Sequence, residues 1–83
     1  MIKPEVGKQF QISPGTPYRM GIEDGEYAHP PRDYTSNEYR QFNIDEVGKG
    51  NKTVYSYEDD KTYEFKWSDV MENNGWVVGE DAN

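Results

Sequence analysis

Apolar and polar side chains alternate most regularly over residues 53–67, on either side of a charged run at residues 58–61. Side chains of a β-strand point alternately to two faces, so two alternating segments joined by a short polar run predict a β-hairpin. The run allows a loop of two or four residues, and both lengths give the same cross-strand register. That register pairs Tyr57 with Thr62, Tyr55 with Glu64 and Val54 with Phe65.

The register gives the hairpin two faces of different character. The first face is predicted to lie in the core and carries Val54, Ser56, Tyr63, Phe65 and Trp67. The second face carries Tyr55, Tyr57, Thr62, Glu64 and Lys66. Because a core does not need the rings of Tyr55 and Tyr57, the second face indicates a binding surface. The alternative is that loop residues fold over both rings and make them a second small core.

Shorter alternating segments on both sides of the hairpin predict three more strands, over residues 6–12, 39–47 and 76–78. Between the hairpin and the last of these strands, Ser68 is suited to cap the start of a helix. One or two helical turns fit before the chain reaches Asn73 and the Asn-Gly pair that follows it. The predicted order therefore contains five strands and one short helix.

Residues 23–38 show no periodicity and contain a glycine and two consecutive prolines, which predicts a long irregular loop. Residues 18–22 alternate weakly and form either a short strand or the arm that leads into this loop. Residues 1–5 and 79–83 are expected to fray, as chain ends commonly do.

The composition supports a mainly β domain with an aromatic core. A chain of 83 residues is one domain, here spanning residues 1–83. Leucine is absent and alanine occurs twice, so the best helix formers are scarce. Twelve aromatic residues supply the apolar area that leucine would otherwise provide, and they favour strands.

The order of the predicted elements resembles that of SH3-like small β-barrels. Residues 23–38 take the place of the long first loop of those domains, and residues 68–75 take the place of the short helix before their last strand. The resemblance implies a small five-stranded antiparallel SH3-like barrel or curled sheet; an OB-like barrel and an open sheet with one helix are alternatives. The chain lacks the Ala-Leu-Tyr-Asp-Tyr-like segment and the paired tryptophans of proline-binding SH3 domains, so their peptide-binding residues are not carried over.

The charge points to a basic partner. Sixteen acidic and nine basic residues give a formal net charge of −7. Binding to phosphates requires clustered Lys or Arg, so direct nucleic-acid binding is disfavoured and a protein with a basic surface is favoured. The chain has no cysteine, no apolar run near ~20 residues and no signal-like start, so we expect a cytoplasmic protein without membrane contact.

No catalytic centre can be nominated from the sequence. His29 is the only histidine, and no pattern of nucleophile, base and acid stands out. Acidic clusters at residues 23–26, 45–46 and 58–60 lack the ligand spacing of an EF-hand loop. Residues 48–53 lack the spacing of a phosphate loop and precede a strand rather than a helix. We therefore expect no enzymatic activity, no metal and no cofactor.

Two classes of function remain. In the first, exposed tyrosines and carboxylates occupy the basic surface of a nucleic-acid-binding protein; in composition the chain is similar to small acidic inhibitors of phages and mobile elements, such as DNA-mimic and some anti-CRISPR proteins. The partner-binding residues expected for this function are Tyr55, Tyr57, Glu58, Asp59, Asp60, Glu64, Glu23, Asp24 and Glu26. In the second, a structural domain docks on a larger complex or oligomerises through the sheet edge at residues 76–78. The first class, with a monomeric chain, is favoured.

Overall fold

A computed structural model describes residues 2–79 as two antiparallel β-sheets and one short α-helix. In chain order the elements are β1 (Gln9–Ile12), β2 (Pro17–Ile22), β3 (His29–Thr35), β4 (Arg40–Asn43), β5 (Glu46–Val47), β6 (Thr53–Glu58), β7 (Lys61–Lys66), α1 (Trp67–Glu72) and β8 (Trp76–Val77). A 3₁₀ turn covers Lys49–Asn51, between β5 and β6. No helix in residues 2–79 is long and apolar enough to cross a membrane.

The strands divide into a sheet of three and a sheet of five. The smaller sheet has the order β4-β1-β8 and the larger the order β3-β2-β7-β6-β5, with every pair antiparallel. The chain passes between the sheets after β4, where the Ile44 amide donates to the Lys8 carbonyl (2.8 Å) and the Asp45 amide donates to the Tyr55 carbonyl (2.9 Å).

The mainly β class and the short helix before the last strand are confirmed, but the predicted number of five strands is wrong. The segment predicted as one strand over residues 39–47 forms two strands in different sheets, because the chain turns at residues 44 and 45. Residues 17–35 contribute two further strands. Within residues 2–79 no strand pairing joins the two sheets into a closed barrel.

Aromatic rings occupy the centre of the core. The ring of Phe10 lies 5.0 Å from that of Phe65, 5.7 Å from that of Trp67 and 5.8 Å from that of Phe42, measured between centroids. The buried apolar residues come from both sheets and the helix: Phe10, Ile12, Phe42, Ile44, Val54, Tyr63, Phe65, Trp67, Val70 and Val77. Each large ring buries on the order of 150 to 250 Å², which explains how a chain without leucine forms a core.

The central hairpin of β6 and β7 has the predicted register. Val54 lies opposite Phe65, Tyr55 opposite Glu64 and Tyr57 opposite Thr62. The loop contains two residues, Asp59 and Asp60, with φ of 51° and 58°. Positive φ at both positions is typical of a type I′ turn, whose twist matches that of the strands on either side. The first face of the hairpin is buried, as predicted.

The prediction of an irregular loop over residues 23–38 is wrong in its second half, where β3 pairs with β2. The two prolines prevent recognition of this strand from the sequence, because proline has no backbone N–H to donate to a neighbouring strand and normally indicates that a segment is not a strand. They are accommodated at the outer edge of the sheet and in a bulge, where the register shifts between Met20 and Ile22. Gly21 lies at this bulge, and a Cβ atom there would lie 3.1 Å from the backbone nitrogen of Pro31.

The segment before β1, which is expected to fray, contacts the rest of the chain at Ile2 and Pro4. Ile2 packs against the core, and its carbonyl accepts a hydrogen bond of 3.0 Å from the indole Nε1 of Trp67. Pro4 is buried. Ile2 and Trp67 are 65 positions apart in the sequence, so no local pattern indicates the contact. Residue 1 and most of the predicted frayed tail, residues 80–83, lie outside the described residues.

The helix α1 begins at Trp67, one position before the Ser68 that the sequence suggests as its cap. Lys66 takes the N-cap position and provides no side-chain hydrogen bond, so burial of Trp67 and Val70 rather than capping holds the helix. The chain leaves α1 through Gly75, whose amide donates to the Val70 carbonyl (2.8 Å). A Cβ atom on Gly75 would lie 2.6 Å from Cγ1 of Val70, so the turn requires glycine.

Candidate functional site

Two stacked tyrosines lie on the second face of the hairpin. Tyr55 and Tyr57 occupy alternate positions of β6, so their side chains project from the same side of the sheet. Their ring centroids are 6.5 Å apart and the ring planes differ by 10°. The side chain of Tyr57 is 48% exposed and that of Tyr55 is half-buried. The loop before β3 therefore does not bury Tyr57, and the two rings do not form a second closed core.

The carboxylate of Glu46 holds the outer ring in place. Glu46 lies opposite Tyr55 in the pairing of β5 with β6, and its Oε1 accepts a hydrogen bond of 2.5 Å from the Tyr57 hydroxyl. This hydrogen bond, together with partial burial and the negative charge of Glu46, raises the pKa of Tyr57 to about 12. The phenol therefore stays protonated near neutral pH and keeps donating to Glu46.

The backbone of Tyr57 has a second acidic partner. Its amide donates to Oδ2 of Asp45 (2.8 Å), while the Asp45 amide donates to the Tyr55 carbonyl (2.9 Å). These bonds tie the crossing between the two sheets to the tyrosine pair. With Glu64, which lies opposite Tyr55 on β7, these residues form a surface that we call the tyrosine face: Tyr55, Tyr57, Asp45, Glu46 and Glu64.

Asp45 and Glu46 are absent from the expected partner-binding residues, although their acidic cluster is visible in the sequence. The strand β5 has two residues, which is too short for an alternation to be recognised. The available signal is the turn after it: the Gly48 amide donates to the Thr53 carbonyl (2.8 Å), so the chain reverses there. If the strands on either side of that reversal pair residue by residue, Glu46 lies opposite Tyr55.

The structure separates Glu58 from the tyrosine face. Glu58 shares the side of β6 that Ser56 occupies, because side chains alternate along the strand. Its Oε1 lies 3.9 Å from Nη2 of Arg40, on the side of the sheet that faces the core. A carboxylate in this ion pair is not presented with Tyr55 and Tyr57.

Three of the expected acidic residues, Glu23, Asp24 and Glu26, follow β2, and one of them bonds to the hairpin through its side chain. Glu23 donates its amide to the Asp60 carbonyl (2.9 Å) and accepts 3.0 Å from the Thr62 hydroxyl through Oε1. Asp24 accepts from the amide of Gly25 (2.8 Å) and so stabilises its own turn. The remaining acidic residues are exposed in the two loops: Asp59, Asp60 and Glu26.

Basic groups border one side of the tyrosine face. Arg19 lies opposite Glu64 in the pairing of β2 with β7, and its Nε lies 3.5 Å from Oδ1 of Asp33. Together with Lys66 these side chains line a shallow groove of about 380 Å³ in which opposite charges alternate. Charges of both signs therefore lie beside the tyrosine face on the β2 side of the sheet.

Residues 2–79 contain no group of three or more His, Asp or Glu side chains arranged to hold a metal ion. His29 lies in β3 opposite Ile22, and its Nδ1 is 2.7 Å from the Pro30 carbonyl oxygen.

Comparison of the chain with protein-family models, with curated proteins and with solved structures finds no match.

Proposed function

We propose that this chain is a non-enzymatic protein-binding module that uses the tyrosine face to occupy the basic, nucleic-acid-binding surface of a partner protein. The observation that carries the proposal is the stacked pair Tyr55 and Tyr57, which is fixed by Glu46 and lies beside the carboxylates of Asp45 and Glu64. In this proposal the carboxylates take the positions of phosphates, and the rings provide the apolar contact area.

Pre-organisation supports this function. Tyrosine supplies a large contact area with few rotatable bonds, and a ring that is already held in place loses little further entropy on binding. Tyr57 is held at its hydroxyl by Glu46 and at its amide by Asp45. An exposed ring that is held at both its hydroxyl and its backbone amide is better suited to recognition than to stabilising a core.

The net charge of −7 supports the choice of a basic partner. Opposite charges accelerate encounter, and this acceleration falls as salt screens the charges. Binding through the tyrosine face should therefore weaken steeply as the salt concentration rises.

We extend the proposal to architecture and setting. The turn at residues 44 and 45, where one continuous segment serves both sheets, supports an SH3-like arrangement of the strands. The small size and acidic composition support a cytoplasmic inhibitor of the kind that phages and mobile elements encode, including DNA-mimic and anti-CRISPR proteins.

Affinity capture with a matched pair of baits tests this function. The intact chain and the variant with Tyr55→Ala and Tyr57→Ala are each used to capture proteins from nuclease-treated lysate at low salt, followed by mass spectrometry. A nucleic-acid-binding protein recovered by the intact chain, lost with the variant and released by added DNA or RNA is the expected result. Recovery of the same proteins by both baits would exclude the tyrosine face as the binding surface.

A second candidate function is assembly through a sheet edge. The strand β8 is an edge of the smaller sheet, and Trp76 in it is 46% exposed. Unpaired edges invite strand addition, although an edge of two residues offers few backbone groups. Light scattering over a hundredfold range of protein concentration, roughly 0.01 to 1 mM, separates the two functions. A mass that rises with concentration supports assembly, and a constant monomer mass supports the binding module.

A further inference from the structure

A second surface lies at the end of the hairpin opposite the Asp59 and Asp60 turn. There the N-terminal segment, the 3₁₀ turn and α1 enclose a groove of about 710 Å³. Ile2, Trp67 and Met71 contribute apolar side chains to its floor. The hydrogen bond from Trp67 Nε1 to the Ile2 carbonyl (3.0 Å) fixes one wall against the other. We call this surface the lysine groove, for the residues at its rim.

Three lysines border the floor: Lys3, Lys52 and Lys66. All three are exposed, and none of them forms a salt bridge with another residue in the part of the chain that the structure describes. Glu72 is the one acidic side chain among the residues that line this groove within residues 2–79. One third of the nine basic residues of an otherwise acidic chain is thus gathered around one apolar floor.

The backbone keeps two of these lysines in place. Lys66 ends β7 opposite Thr53, and the carbonyl of Lys52 accepts a hydrogen bond of 2.8 Å from the Trp67 amide. Lys52 and Lys66 therefore stand on either side of the open end of the hairpin. Both side chains line the groove, so an anion bound there can pair with both.

We propose that the lysine groove binds an acidic peptide segment that carries one large apolar side chain. The apolar side chain would lie on the floor against Trp67 and Met71, and neighbouring carboxylates would pair with the rim. The volume of about 710 Å³ falls within the range typical of ligand sites, and the charge of the rim is complementary to an acidic segment.

The rim favours a peptide over a small amphiphilic anion such as a fatty acid. A single carboxylate neutralises one ammonium group and leaves the others unpaired, whereas a segment with several acidic residues reaches all three. The proposal gives the chain a second binding surface of opposite sign, independent of the function proposed for the tyrosine face. Lys66 is the one rim residue that also lines the shallow groove beside that face.

Fluorescence anisotropy with labelled peptides of eight residues tests the inference on the full chain. The first peptide contains acidic residues and one phenylalanine, the second replaces the phenylalanine with serine, and the third replaces the acidic residues with their uncharged amides. We expect the first peptide to bind about tenfold or more tighter than either of the others. Equal binding of all three would overturn the proposal.

Charge-reversal variants locate the binding. The double variant Lys52→Glu with Lys66→Glu should weaken binding of the first peptide about tenfold or more. The control is Arg32→Glu with Lys61→Glu, which makes the same change in net charge away from the groove. The control should change the affinity by no more than about twofold. Circular dichroism confirms that each variant folds, and Lys3→Glu alone serves if the first pair does not. An equal loss of affinity in the two double variants would show a general effect of charge and would overturn the assignment of the binding site to the groove. Displacement of the peptide by decanoate at a lower concentration than by unlabelled peptide would assign the groove to an amphiphilic anion instead.

Discussion

Glu46 accepts a hydrogen bond from the hydroxyl of Tyr57, although the residue it faces across the strands is Tyr55. The bond thus runs diagonally over the sheet and links three residues into one unit, because the two rings also stack on each other. Diagonal neighbours in a sheet are close enough for long side chains to meet. The order of this exposed surface therefore depends on a carboxylate from a strand of two residues.

Breaking that bond should change the titration of Tyr57. Its pKa is raised to about 12 in the folded protein by the hydrogen bond to Glu46, and Glu46→Ala should lower it towards the ordinary value near 10. Difference absorbance titration of the variant and its parent, each compared with its Tyr57→Phe version, isolates this one phenol. An unchanged pKa in Glu46→Ala would contradict the assignment of Glu46 as the main cause.

The same shift predicts how stability depends on pH. Because folding raises the pKa of Tyr57, its contribution to stability is fully present below the unfolded pKa near 10 and is lost as pH rises through about 12. The unfolding free energy of each protein is measured with urea at about pH 9 and about pH 11. The decrease between these two pH values should be smaller in Tyr57→Phe than in the parent protein. Equal losses in the two proteins would contradict a folded-state origin of the shift.

Removal of both rings should affect binding more than stability. Tyr55→Ala with Tyr57→Ala removes one half-buried and one exposed side chain and should lower the unfolding free energy by only about 1 kcal/mol, measured by urea denaturation. Capture of the partner should be lost. Tyr27→Ala is the matched control, because Tyr27 is 76% exposed and lies outside the tyrosine face. Global unfolding of the double variant would instead identify the rings as core.

Ser56 should be replaceable by alanine with a gain in stability. Its side chain is 1% exposed, and its hydroxyl has no hydrogen-bond partner among residues 2–79. A buried polar group without a partner costs free energy, so Ser56→Ala should raise the unfolding free energy by about 1 kcal/mol. Ser68→Ala, at an exposed position, is the control and should not stabilise the protein. A loss of stability in Ser56→Ala would show that the hydroxyl is satisfied.

Two glycines should respond very differently to alanine. At Gly75 a Cβ atom would lie 2.6 Å from Val70 Cγ1 and 2.8 Å from the Gln11 carbonyl oxygen, so Gly75→Ala should cost roughly 3 kcal/mol or more through displaced backbone. Gly25 has φ of 88° but no atom within 4 Å of the new Cβ. Gly25→Ala should therefore cost only about 1 kcal/mol, from backbone strain. Thermal and urea unfolding of both variants measure the difference, and equal costs would contradict close packing at Gly75.

The elements that local patterns could predict are those whose partners are near in sequence. The hairpin of β6 and β7 is an example, since its alternation and its two-residue turn agree and fix one register. β3 was missed because Pro30 and Pro31 are unfavourable in a ladder, and only its position at the sheet edge makes them tolerable. The position of Ile2 beside Trp67 depends on a tertiary contact that no local pattern encodes. The position of Glu46 depends on the reversal between Gly48 and Thr53, and the strand that carries Glu46 is too short to be recognised by alternation.

The two-residue turn at Asp59 and Asp60 sets how this chain can vary in length. Adding or deleting one residue within the β6–β7 hairpin would reverse every side chain that follows it in β7, sending Phe65 outwards and Glu64 into the core. The loop between β2 and β3 has no such constraint, because exposed irregular residues absorb extra length at little cost. Insertions and deletions among related chains should therefore occur mainly around Gly25, while the number of residues between Tyr55 and Phe65 stays constant.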